Sequence, residues 1–89
     1  MKQFHELEHI TRGISNHRRI EILNLLARHS DLSVLGVAEA LRINFKTASE
    51  HIRRLALAGL VAKRYQGAAL RLTPTPRGLV ILKFLRTLE

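Results

Sequence analysis

The sequence contains no cysteine. That excludes disulfides, and with them any thiolate metal or redox site. No apolar run approaches the roughly 18 residues of a membrane-spanning helix. No signal-peptide pattern and no internal repeat stand out. A soluble, cytoplasmic protein without a membrane partner is the expectation. Acid is scarce in one particular place. Residues 42–77 carry eight cations (Arg42, Lys46, Arg53, Arg54, Lys63, Arg64, Arg71, Arg77) against Glu50 alone, a local charge of +7 out of a total of +8. Residues 1–41 balance five cations with five acids. A surface kept charged only for solubility mixes both signs. A one-sided segment points to a polyanion, most commonly nucleic acid.

What is present suits one small globular domain, residues 1–89, with 46% apolar residues arguing against disorder. The stretch from Asn44 to Gly59 organises it. Asn44 is a good N-cap, and Gly59 suits the left-handed position past a helix end. At 100° per residue Ala48, Ile52, Leu55 and Ala56 share one side with Phe45 at its edge. Lys46, Thr47, Glu50, Arg53 and Arg54 gather on the other. Such a helix is buried along one stripe and offers the opposite, mostly cationic, stripe to a partner.

Around it the chain predicts four more helices and a hairpin. Residues 2–12 read as a helix with Phe4, Leu7, Ile10 and Ile14 on one side, broken by Gly13. Ser15 and Asn16 can cap a helix over about 17–29, rich in core residues from Ile20 to Ala27. Asp31-Leu32 is a short extended link, and Ser33 can cap a helix over 34–41. After Gly59 the period changes to that of strands, with runs 60–65 and 68–73 around a Gln66-Gly67 turn in which Gly67 takes a positive φ. Thr75 followed by Pro76 opens a last helix over about 76–88. That helix is apolar nearly all round, through Leu79, Val80, Ile81, Leu82, Phe84, Leu85 and Leu88. One small domain cannot cover so much surface, and the excess calls for a second subunit.

The segment His5-Glu6-Leu7-Glu8-His9 matches the His-Glu-x-x-His pattern, which sets two imidazoles one turn apart with a glutamate beside them. Three fixed positions make a weak signal. Both imidazoles are expected to project opposite the apolar stripe, and the chain is too short to build a peptide cleft. The segment is therefore read as a solvated helix face, with no metal, no cofactor and no enzyme activity.

Two helices joined by a short turn, the second cationic, followed by a basic hairpin, resemble a winged helix-turn-helix. Leu32-Ser33-Val34, Ala38-Glu39-Ala40-Leu41, Thr47-Ala48-Ser49, His51-Ile52, Leu55 and Ala58-Gly59-Leu60-Val61 closely resemble the core of ArsR-type repressors, and residues 15–26 resemble that family's second helix. Leu72-Thr73 and Thr75-Pro76-Arg77-Gly78 look more like the MarR/PadR side of the superfamily. The resemblance implies a mainly α fold of about five helices with a two-stranded wing, acting as a homodimeric transcriptional regulator. The recognition helix would be 45–58 and the wing 60–73. The terminal helices (about 2–12 and 76–88) would form the dimer contact, through Phe4, Leu7, Leu79, Leu82 and Leu85. His51 would be structural. The thiol ligands that some relatives carry are absent, as are Asp and His from residues 76–89, so whether an effector is sensed stays open. Arg42 stands where many relatives have glycine.

On this reading Lys46, Thr47, Ser49 and Glu50 reach base edges in the major groove of double-stranded DNA. Arg53 and Arg54 meet phosphate, while Lys63, Arg64 and Arg71 on the wing track the backbone. A two-fold dimer would hold its recognition helices about 34 Å apart, over a pseudo-palindrome. The nearest rival is an architectural protein that coats DNA without reading it. The uncharged Thr47 and Ser49 and the acidic Glu50 argue against that, since phosphate binding gains nothing from them. A winged-helix module for protein–protein contact fits the +7 segment less well.

Overall fold

The computed structural model describes residues 3–89, so residue 2 of the helix expected over 2–12 lies outside the described residues. The element order is α1 (Phe4–Ile14), α2 (His17–Arg28), α3 (Val34–Leu41), α4 (Phe45–Leu57), β1 (Val61–Gln66), β2 (Ala69–Pro74) and α5 (Pro76–Arg86). Five helices and one antiparallel hairpin make up the described residues, as expected.

Local chemistry sets most of the helix starts. The Asn16 side chain accepts from the amides of Arg18 and Arg19, and that of Ser33 from Gly36. Asn44 accepts from Lys46 and Thr47 at 2.7 and 3.3 Å. Thr75 accepts from Gly78 and donates to the Gly59 carbonyl at 2.6 Å, tying the start of α5 to the end of α4. Each cap satisfies amides that the first helical turn leaves without partners.

Helices α3 and α4 end in the same way with different residues. After α4, Gly59 takes φ +75°, Leu60 N–H donates to Leu55 O and Gly59 N–H to Ala56 O. After α3, Arg42 takes φ +55°, Ile43 N–H donates to Ala38 O and Arg42 N–H to Glu39 O. Both are Schellman closures, which need a left-handed residue just past the helix. Glycine fills one without strain. Arginine fills the other, at a cost of about 1 kcal/mol. This turn aims α4 relative to α3.

The core gathers Ile22, Leu23 and Leu26 of α2, Val37 of α3, Ile52 and Leu55 of α4, Leu60, Val61, Leu72, and Leu82 of α5. Ala48 is fully buried and seats the first turns of α4. The hairpin joins this core through an isolated bridge, Leu32 to Leu72, that makes Leu32 a one-residue third strand.

Three expectations are corrected. Gly13 does not break α1, which runs on to Ile14. A Cβ at Gly13 would collide with the Cβ of Ala58, so this glycine exists to let α1 touch α4. The wing turn is Gly67-Ala68 rather than Gln66-Gly67, with Gln66 paired to Ala69. Only the first turn residue has positive φ, which puts glycine there. Leu82 is 5% exposed and belongs to the protein's own core, with Leu85 half-buried beside it. The uncovered apolar residues of the C-terminal segment are Leu79, Val80, Phe84 and Leu88, the last just beyond α5.

Candidate nucleic-acid interface

Helix α4 exposes Lys46, Thr47, Ser49, Glu50, Arg53 and Arg54, while Ala48, Ile52 and Leu55 face inward. The helical period thus separates a buried stripe from a polar one, as the spacing predicts. The polar stripe is not a row of free side chains. Glu50 accepts from Arg53 at both carboxylate oxygens, 3.0 and 2.7 Å, and from Arg54 Nε at 3.2 Å. Hydrogen bonds from Arg53 and then Arg54 hold the Glu50 carboxyl down to about 2, and the same pairing raises Arg53. A carboxylate offers about four acceptor sites, so roughly one remains on Glu50 for a base edge. Lys46, Thr47 and Ser49 occupy the first two turns of α4, the end that in a helix-turn-helix approaches base edges.

On the wing the two-residue period divides the predicted cations. Arg64 lies directly opposite Arg71, while Lys63 lies opposite buried Leu72. Lys63 therefore leaves the hairpin on the core-facing side, and Arg64 and Arg71 on the other. Arg64 Nη2 donates to Asp31 Oδ1 at 2.9 Å, and Arg71 Nη1 reaches the Asp31 carbonyl at 3.4 Å. Tyr65 is 75% exposed beside them.

His51 is half-buried, and its Nδ1 lies 3.3 Å from Arg19 Nη1. A guanidinium only donates, so Nδ1 accepts and the ring proton sits on Nε2. Burial, then the charge of Arg19, lower the His51 pKa and favour that neutral ring. Arg19 also donates to the carbonyls of Gly13 at 2.7 Å and Arg12 at 3.2 Å. Burial, then Arg54, lower its pKa in turn. One α2 side chain thus fastens the end of α1 to the outer side of α4.

Sequence reasoning missed Arg19 and Asp31. Arg19 was placed only within the second helix, and Asp31 only in the short extended link after it. His9 also differs from expectation, because its Nε2 lies 3.2 Å from the Leu57 carbonyl instead of pointing freely outward. Among the described residues no group of three or more His, Cys, Asp or Glu is arranged to hold a metal. No described helix is long and apolar enough to cross a membrane.

Helix, tight turn, polar helix and basic hairpin on one core define a winged helix-turn-helix. The sequence model of the bacterial regulatory protein, arsR family, matches residues 16–63, more than half the chain, and the chain belongs to that family. Its fold and family are those of DNA-binding transcription regulators rather than enzymes. No curated protein sequence matches the chain. Among solved structures it is similar to the homodimeric winged helix-turn-helix DNA-binding domain of a possible ArsR-family regulator from Mycobacterium bovis. The identity is 27% and the TM-score 0.82, over 96% of this chain and 78% of that one. An ArsR-like transcriptional regulator from Rhodococcus is 28% identical with a TM-score of 0.76, over 96% and 77% of the two chains. HlyU from Vibrio cholerae, at 23% identity, shares the fold with a TM-score of 0.82 over 99% and 97%.

Proposed function

We propose that this regulator acts in the cytoplasm as a homodimeric repressor that reads a pseudo-palindromic operator. The observation that carries the reading is the open first half of α4. Lys46, Thr47 and Ser49 stand uncovered there, with Arg53 and Arg54 about two turns behind them. Lysine donates to guanine O6 and N7, and the two hydroxyls serve either base-pair type. The arginines, released from Glu50 or shared with it, meet phosphate. Arg64 and Arg71 on one side of the wing, and Lys63 on the other, follow the backbone. Glu50 keeps a smaller part, an acceptor with about one site left that chiefly orders the two arginines.

Support for the dimer comes from Phe4, Leu79, Val80, Phe84 and Leu88, large apolar side chains left exposed on the terminal helices and at the chain's end. The similar Mycobacterium bovis domain is homodimeric. In our reading these residues, with Leu7, form the subunit contact, and Leu82 and Leu85 support it from beneath. Selection of bound sequences from a random DNA pool tests the whole reading. The expected outcome is an enriched pseudo-palindrome with half-sites about one helical turn apart. Recovery of unenriched DNA would mean that the protein coats DNA without reading it.

A further inference from the structure

Arg64 and Arg71 are direct cross-strand partners on one face of the wing. Like charges set opposite one another destabilise a hairpin. The anion that relieves them comes from outside it. Asp31, in the link between α2 and α3, accepts from Arg64 Nη2 through Oδ1 at 2.9 Å and from Arg71 Nη1 through its carbonyl at 3.4 Å.

That carboxylate is tied to the wing through the backbone. Asp31 N–H donates to the Leu72 carbonyl at 2.8 Å, and Leu72 N–H donates to the Leu32 carbonyl at 2.9 Å. The position carries strain, since Asp31 has φ +71° and shares the left-handed region with only one other non-glycine residue described, Arg42. Aspartate is one of the few side chains that tolerate it. The two arginines, with Tyr65 and Gln66, also line an open pocket of 160 Å³. Each of these four side chains can donate a hydrogen bond. Donors thus surround the pocket, and one of them, Arg64, is held by the protein's own anion, the Asp31 carboxylate.

We propose that Asp31 is an internal competitor for phosphate on the wing. This rests on the reading of the wing as a backbone-contacting element. Both partners of the pair are largely exposed, 65% for Arg64 and 52% for Asp31, so a DNA phosphate can displace the carboxylate. Each such engagement first gives up the Arg64–Asp31 bond. Asp31 thereby lowers the wing's affinity for every DNA sequence alike, and leaves discrimination to α4.

The test is Asp31→Asn, which keeps a residue tolerant of left-handed φ and the backbone bonds to Leu72 while removing the charge. Selected and scrambled DNA should both bind roughly two- to fivefold more tightly. The log–log salt slope should steepen by up to ~0.9, the signature of one more phosphate neutralised. Adding Arg64→Ala should abolish the gain. In parallel, inorganic pyrophosphate is titrated against both proteins while the arginine Nε–H resonances are followed by NMR, and D31N should bind it more tightly. Unchanged or weaker DNA binding with an unchanged slope overturns the proposal, and so does a gain that survives Arg64→Ala. If neither protein binds DNA, the reading of the wing fails separately. Tighter pyrophosphate binding by D31N then still supports the internal competitor, and equal binding overturns it.

Discussion

Replacing Gly13 with alanine sets two physical effects against each other. Alanine is the better helix former by up to about 1 kcal/mol, less near a helix end, so propensity alone favours the variant. The tertiary contact opposes it. A Cβ at Gly13 collides with the Cβ of Ala58, a residue only 1% exposed at the end of α4. Two backbone segments meet here, and no flexible side chain can swing away. A shift of the end of α1 would also disturb the 2.7 Å bond that Arg19 of α2 donates to the Gly13 carbonyl. Overpacking of this kind costs about 1–3 kcal/mol. The net expectation is a loss of about 1–2 kcal/mol, or a melting temperature lower by about 4–8 °C per kcal/mol for a domain of this size. The assay is thermal and urea unfolding followed by circular dichroism at one fixed protein concentration, because the proposed dimerisation would make the midpoint concentration-dependent. Ala58→Gly should cost stability alone yet recover part of it in the Gly13→Ala background, a coupling of at least about 0.5 kcal/mol. A more stable Gly13→Ala protein, or additive single effects, would refute the close approach of α1 to α4.

Other perturbations have distinct signatures. Arg42→Gly relieves the left-handed strain after α3 and should add about 0.5–1 kcal/mol in urea unfolding, whereas a loss would show that the arginine side chain is needed there. Val80→Lys with Phe84→Lys should yield folded monomers by sedimentation that bind DNA weakly. Leu82→Lys, aimed at the core, should instead unfold the chain. The His51 pKa is lowered by burial and by Arg19, with Arg18 and His17 adding to the shift and Glu50 opposing it. Folding therefore favours the neutral ring. Stability should be intact above about pH 6.5, fall as the pH drops from there towards the lowered value, and level off below it. A pH series of melts on wild type and His51→Gln isolates this, because the part of the decline due to His51 vanishes in the variant. The pairing of Glu50 matters only further down, between about 4.5 and about 2.

Much of the fold was legible because its signals are local. Asn16, Ser33, Asn44 and Thr75 cap the helices they were expected to cap, and α3 has the expected bounds. The wing was displaced by one residue, since two-residue turns at 66–67 and 67–68 both contain Gly67. Gly13 was misread because a glycine that ends a helix and one that admits a neighbouring helix look alike without the neighbour. Leu82 was misassigned because α5 is apolar almost all round, and period alone does not say which side faces inward. Asp31 and Arg19 were invisible for a different reason. Their partners Arg64 and His51 lie 33 and 32 residues away, and only the fold brings them together.

The central claim is that the open end of α4 reads bases. Thr47→Ala with Ser49→Ala changes no charge, so phosphate contacts and the salt slope should remain as in the wild type. The decisive measurement is a competition titration of wild type and this variant on selected and scrambled DNA at several salt concentrations. The expected result is an unchanged slope with a loss of about 1–3 kcal/mol in preference at one or two base pairs per half-site. An unchanged ratio of specific to random affinity would contradict the claim, and leave a protein that holds DNA by its backbone alone.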